Sequence, residues 1–122
     1  MVSRTLHDLG YRFIKEAEDG EEGIKILNHA DGLIEVVFLD IEMPKVSGLD
    51  FLRVIRSHDK VSIRKVPIIM LTGHSDMDHV REAAKIGIHG FLAKLVSKAN
   101  LEKQIKRALS SPPIDPAKLQ GS

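Results

Sequence analysis

Three residues of different chemistry each follow a short apolar run in this chain of 122 residues: Asp40, Thr72 and Lys94. A carboxylate can act as a nucleophile or a metal ligand, a hydroxyl donates a hydrogen bond, and an ammonium carries positive charge. If the three side chains lie together, they predict a site that holds an anionic group beside Asp40.

The apolar runs before these residues are typical of strands that are buried on both faces. The runs 36–39 and 68–71 are continuous and rich in branched side chains, which favours a parallel sheet covered by helices. Residues 11–17 and Gly90–Ala93 are weaker strand candidates. In a parallel sheet the strands end at one edge, where sites of such folds lie. We therefore expect the three polar residues to meet there.

Helical patterns with recognisable starts alternate with these runs. Ser47 and Ser75 each precede a carboxylate by three residues, which resembles a capping box, and Asp19 and Ser97 are further candidate caps. The first helical pattern covers the region up to residue 10. Strict alternation of helix and strand predicts an α/β fold with a doubly wound parallel sheet.

Composition narrows the class of protein. Eighteen basic and seventeen acidic residues leave a formal net charge of +1, which gives no electrostatic footprint for nucleic acid. No apolar run approaches the roughly 18 residues of a membrane span. Cysteine is absent, so disulfides and thiolate metal sites are excluded, and a cytoplasmic location is expected.

Four segments resemble, in the same order, the motifs of response-regulator receiver domains of two-component signalling. They are 18–23 at a helix start, 37–48 around Asp40, 68–73 ending in Thr72 and Gly73, and 84–94 ending in Lys94. The resemblance spans about residues 2–109. It implies a flavodoxin-like or CheY-like three-layer sandwich.

The resemblance also implies roles for individual residues. Asp40 would accept a phosphoryl group from a histidine kinase or phosphotransfer protein. The protein itself would not be an enzyme. Thr72 would move toward the phosphoryl group, Lys94 would pair with it, and Phe91 would change rotamer with Thr72. Phe91 could equally be a simple core aromatic. The output would pass to a downstream protein or a fused effector domain.

The chain departs from the family at the metal site. The resemblance implies Mg²⁺ bound by the Asp40 carboxylate and the Glu42 backbone carbonyl, completed by two acidic residues at the end of the family's first strand. That segment has no counterpart before Asp40, so we expect weak Mg²⁺ binding and an N-terminally incomplete domain. We also expect a gap, or a foreign strand, between residues 11–17 and 36–39.

The predicted domain is a receiver over residues 1–110, followed by a flexible tail or linker over 111–122, where three prolines within five residues stop a helix. Two alternatives stay open. One is a degenerate receiver that binds partners without phosphorylation. The other is an enzyme on a flavodoxin-like sheet, which lacks the support of a glycine-rich phosphate loop or a nucleophile motif.

Overall fold

The computed structural model describes residues 2–11, 13–30, 33–40, 47–73, 77–93 and 97–119. In this part of the chain two successive helices come before the first strand and two more before the second, and a short 3₁₀ helix follows the last α-helix. The elements are α1 (Val2–Asp8), α2 (Gly20–Ala30), β1 (Val37–Asp40), α3 (Gly48–Arg56), α4 (Val61–Arg64), β2 (Ile68–Thr72), α5 (Met77–Ile86), β3 (Gly90–Ala93), α6 (Lys98–Ser110) and the 3₁₀ helix Pro116–Leu119.

The three strands form one parallel sheet in the order β1-β2-β3. Val37 on β1 pairs with Ile68, and Ile69 pairs with Gly90 on β3. The central strand β2 is buried almost throughout, because helices cover both of its faces. The predicted α/β class and three of the four predicted strands are confirmed, with β1 displaced by one residue toward Asp40.

Two apolar clusters hold the helices on the two faces of the sheet. On one face, α2, α3, α4 and α5 pack against Ile68 and Met70. On the other face, α1 and α6 pack against Ile69 and Leu92. Neighbouring residues of β2 thus enter opposite clusters, as the alternation of side chains along a strand requires.

The starts of three helices follow the predicted caps. The Asp19 carboxylate accepts the amide of Glu22 at 2.9 Å, ahead of α2. Ser47 Oγ accepts the amide of Asp50 at 3.1 Å, and Ser97 Oγ accepts that of Asn100 at 3.2 Å. Each bond satisfies an N–H that has no partner inside its helix. Ser75 lies outside the described residues. Within the described part, no helix is long and apolar enough to cross a membrane.

The prediction of a strand over residues 11–17 was wrong. Tyr11 and residues 13–17 have no regular secondary structure, and the described part of the chain has no strand beside them that could take their backbone bonds. A cleft of about 1080 Å³ lies there, bordered by residues 13–17 on one side and 33–40 on the other. The predicted gap between these two segments is therefore confirmed.

Arg56 fastens the opposite, amino-terminal end of the sheet. Its guanidinium donates to the carbonyls of Gly87, Arg64 and Val66 at 2.8–2.9 Å. Burial lowers the pKa of the Arg56 guanidinium from its usual value to about 10. Gly87 has φ +134°, and an added Cβ would come within 3.2 Å of Arg56 Nε, so this contact needs glycine. These three hydrogen bonds, here called the Arg56 clamp, join α3 to the end of α4 and to the segments before β2 and β3.

The chain turns back after α6, which ends at Ser110 just before Pro112 and Pro113. The 3₁₀ helix Pro116–Leu119 then packs against α5. A domain boundary near residue 110 stays a prediction, and residues 120–122 lie outside the described residues.

Candidate functional site

Asp40 and Thr72 both lie at the carboxyl edge of the sheet, on neighbouring strands. Asp40 is the last residue of β1, and Thr72 is the last residue of β2. The register pairs Asp40 with Leu71, and Thr72 with Ala93 at the end of β3. The three strands therefore end within one residue of each other. Lys94 directly follows Ala93 in the chain, but Lys94 and Glu42 lie outside the described residues.

The Thr72 hydroxyl is buried and only loosely bound. Thr72 is 8% exposed, and its Oγ1 donates to the carbonyl of Leu92 at 3.4 Å. Hydroxyl hydrogen bonds cluster at about 2.7–2.8 Å, so this one is long. Charged acceptors form bonds roughly twice as strong as neutral ones. A nearby anion would therefore compete well with the Leu92 carbonyl for this hydroxyl.

Phe91 and Thr72 lie on the same face of the sheet. Met70 belongs to the cluster on the α5 side, and Leu71 packs against the opposite cluster. Because side chains alternate along a strand, Thr72 points to the α5 side. Phe91 is half buried against the same α5-side cluster, on the strand next to Thr72 and in register with Met70. The two residues are thus diagonal neighbours, close enough for long side chains to interact.

The Asp40 carboxylate is approached through the cleft. Asp40 is half buried, and it borders the cleft together with Glu16, Asp19 and Glu22. The carboxyl end of β1 thus borders the cleft. Acidic side chains from residues 16–22 border the same opening.

The described side chains do not by themselves suit Mg²⁺. Within the described ranges, no group of three or more His, Cys, Asp or Glu side chains could hold a metal ion. Mg²⁺ requires near-ideal octahedral oxygen ligands, of which proteins usually supply one or two carboxylates beside water and phosphate oxygens. Asp40 would be such a ligand, but the Glu42 carbonyl, the other predicted ligand, lies outside the described residues.

Sequence reasoning missed the Leu92 carbonyl as the partner of Thr72. Leu92 reads in the sequence as an ordinary apolar strand residue, and it is indeed buried in the core. The bond depends on the register between β2 and β3, which long-range pairing sets. No local pattern around Thr72 or Leu92 signals it.

The comparison with known families decides what kind of domain carries this site. The sequence profile of the response regulator receiver domain matches residues 1–106. The chain belongs to this family. It is therefore a receiver domain of two-component signalling, with the CheY-like α/β fold.

Individual relatives agree with this assignment. The receiver domain is 29% identical over 107 residues to chemotaxis protein CheY-3 of Vibrio cholerae, covering 88% of this chain and 79% of the relative. A receiver domain from Clostridium thermocellum has a TM-score of 0.77 at 32% identity, over 88% of this chain and 82% of that one. The receiver domain of a sensor histidine kinase from Pseudomonas aeruginosa, with magnesium in its active-site cleft, has a TM-score of 0.72 at 27% identity, over 90% and 86% of the two chains.

Proposed function

We propose that Asp40 is the phosphoacceptor of this receiver domain. An oxygen of the Asp40 carboxylate attacks the phosphorus of a phosphohistidine on a histidine kinase or phosphotransfer protein. The P–N bond breaks, an acyl phosphate forms on Asp40, and the imidazole leaves with the bonding electrons and takes up a proton. The observation that carries the proposal is the position of Asp40 at the carboxyl edge of the sheet, in register with the residue before Thr72 and bordering the cleft.

In this proposal Thr72 detects the phosphoryl group and Lys94 pairs with it. The Thr72 hydroxyl exchanges its 3.4 Å bond to the Leu92 carbonyl for a stronger bond to a charged phosphoryl oxygen. Lys94 comes directly after β3, whose end is level with Thr72, and its ammonium supplies the opposing charge. A switch requires these contacts to be stronger in one conformation than in the other, because contacts of equal strength in both would not shift the equilibrium between them.

Phe91 links Thr72 to the outer surface. When the Thr72 side chain turns toward the phosphoryl group, it changes the space beside Phe91 on the same face of the sheet. A new Phe91 rotamer then alters the surface near α5 and α6. A downstream protein in the cytoplasm, or a fused effector domain, recognises that altered surface.

The metal is a separate part of the proposal. The Pseudomonas aeruginosa receiver holds magnesium in its active-site cleft. In this chain the Asp40 carboxylate and the Glu42 backbone carbonyl would be the ligands, and magnesium would neutralise charge on the phosphoryl oxygens. The described side chains do not complete such a site. We therefore expect weaker magnesium binding than a receiver with a complete acidic cluster shows.

A second candidate function is a receiver that binds its partners without phosphorylation. It is favoured by the lack, among the described residues, of a cluster of metal-binding side chains around Asp40. The two functions share the fold and the carboxyl edge. They differ in whether the Asp40 carboxylate reacts.

The test compares Asp40→Asn with Asp59→Asn, a control at an exposed position away from the sheet edge. Phosphorylated histidine kinase carrying a ³²P label is the donor, with acetyl phosphate as a small-molecule donor. We expect labelling of the unaltered chain and of Asp59→Asn, and none of Asp40→Asn, because the amide is not a nucleophile. Full labelling of Asp40→Asn would show that another residue accepts the group. Absence of labelling in all three chains, with partner binding intact, would favour the phosphorylation-independent function.

A further inference from the structure

The segment after α6 has a locally encoded shape. Residues 112–119, here called the C-terminal strap, begin with Pro112 and Pro113, which cannot continue α6. The Asp115 carboxylate accepts the amide of Ala117, and its backbone carbonyl accepts the amide of Lys118, both at 3.0 Å. Asp115 thus caps the 3₁₀ helix that Pro116 opens.

The strap is attached to the domain at two points. The amide of Ile114 donates to the carbonyl of Ile88 at 2.8 Å, just beyond the end of α5. Arg81 Nε, within α5, donates to the carbonyl of Leu119 at 3.0 Å. The strap therefore runs back along α5, in the direction opposite to the helix.

Apolar contacts support both attachments. The side chains of Ile114 and Leu119 are half buried against the α5-side cluster. Phe91 packs against the same cluster. Pro116 between them is also half buried, whereas Lys118 is exposed. Alternate sides of the strap thus face the domain and the solvent, as expected of a docked segment.

In the sequence, the two attachment points on the domain, Arg81 and Ile88, lie between Thr72 and Phe91. Arg81 belongs to α5, the element that follows Thr72 in the chain, and Ile88 precedes Phe91 on β3. A shift of α5 against β3 changes the distance between Arg81 and Ile88. The strap bridges both positions, so such a shift must break or rearrange one of its attachments.

We propose that the outer face of α5 is a docking surface occupied by the chain's own C-terminal strap, and that this contact restrains the switch. The strap stabilises the conformation in which Thr72 bonds to the Leu92 carbonyl, so its release favours the conformation that contacts a phosphoryl group. This regulation rests on the proposed function of Asp40. Its physical basis is a contact that differs between two conformations.

The test weakens the strap within the full chain. Ile114→Ala combined with Leu119→Ala removes its apolar contacts, and Lys118→Ala is the matched control on the exposed side of the same segment. A chain that ends at Ser111 serves as a second variant, because α6 ends before that point. We expect amide exchange in α5 to become roughly fivefold faster in the double variant and the shortened chain, at the low end of ordinary coupling. Lys118→Ala should match the unaltered chain.

The link to the switch is read by NMR and by labelling. Release of the strap should move the Thr72 methyl and Phe91 ring signals without any phosphodonor, and should speed labelling of Asp40 by acetyl phosphate by roughly fivefold. Unchanged α5 exchange, or unchanged Thr72 and Phe91 signals, would overturn the strap proposal even if Asp40 is labelled. Shifted signals without labelling of any chain would support the strap and overturn the role of Asp40. Labelling at equal rates in all chains would overturn the restraint.

Discussion

The two sides of the three-stranded sheet differ in what packs against their outer strands, β3 and β1. At the β3 edge, α6 packs so closely that a Cβ on Gly90 would lie 2.7 Å from Gln104 Oε1, and the Ile114 amide bonds to Ile88 just before the strand. At the β1 edge the sheet meets the cleft, and Phe13 and Leu33 beside it are 97% and 83% exposed. Helix packing and a backbone hydrogen bond therefore cover the β3 side of the sheet, whereas the β1 side is open to the cleft.

This contrast also separates the packed part of the sheet from the part through which Asp40 is accessible. The apolar packing around β2 and β3 fixes Thr72 and Phe91, and the Arg56 clamp holds the far end of the same strands. The open edge gives access to Asp40 and contributes little packing there. We expect substitutions on the two sides to have unequal effects, and the following comparisons test that expectation.

The largest difference should come from two aliphatic side chains of equal size. Ile69 on β2 is fully buried, and Leu33 beside the cleft is 83% exposed. We expect Ile69→Ala to lower the free energy of unfolding by about 2–5 kcal/mol, because it leaves a cavity. Leu33→Ala should change it by no more than about 0.5 kcal/mol. Urea unfolding measures both, and equal losses would show that the cleft is packed in solution.

Two glycines with positive φ give a smaller contrast. Gly87 has φ +134° and contacts Arg56, whereas Gly10 has φ +99° with nothing within 4 Å of an added Cβ. Gly10→Ala should cost only backbone strain, about 1 kcal/mol, and Gly87→Ala should cost about 2–3 kcal/mol because Arg56 must also move. Thermal unfolding of the two variants tests this. If Gly10→Ala lost as much stability as Gly87→Ala, another group would have to lie close to Gly10.

The smallest effect should be a pH dependence of the free energy of unfolding that comes from His89, just before β3. Burial, and then the charge of Arg56, lower the pKa of His89 below its usual 6.5, and His89 Nδ1 accepts the Ile68 amide at 3.3 Å. At pH values between the lowered pKa and the usual one, the unfolded chain therefore binds a proton at His89 more readily than the folded chain does. Its stabilisation is complete above about pH 6.5 and is lost as the pH falls toward the lowered pKa.

Replacing His89 by asparagine tests the pH effect, because an amide oxygen can take the place of Nδ1 without titrating. Urea unfolding at several pH values between 7 and 5 should show a shallower loss of stability in His89→Asn than in the unaltered chain. Parallel pH profiles for the two chains would assign the acid sensitivity to other groups.

Local patterns in the sequence predicted much of the fold because their causes are local. Asp19, Ser47 and Ser97 cap helices as expected, since a cap bond spans only three residues. The runs before Asp40 and Thr72 are continuously apolar, as is typical of parallel strands that helices cover on both faces. The strand ends at Asp40 and Thr72 followed from the same patterns.

The features that the sequence patterns predicted wrongly or did not predict have long-range causes. Residues 11–17 carry strand-forming side chains, but β propensity acts only where a neighbouring strand is available. Arg56 looks like any arginine at the end of an amphipathic helix, and its three carbonyl partners come from other segments. The prolines after Ser110 correctly predicted the end of α6. They gave no sign that Ile114 and Leu119 would return to α5.

The order of the strands also has a consequence for how the chain folds. Strands β1, β2 and β3 are neighbours in the sheet in the same order as in the chain, so β2 is needed by both of the others. The pairing of Ile69 with Gly90 closes a shorter loop than the pairing of Val37 with Ile68, and shorter loops cost less entropy to close. We therefore expect β2 and β3 to join first, and β1 to add to a nucleus that already contains Thr72 and its Leu92 partner.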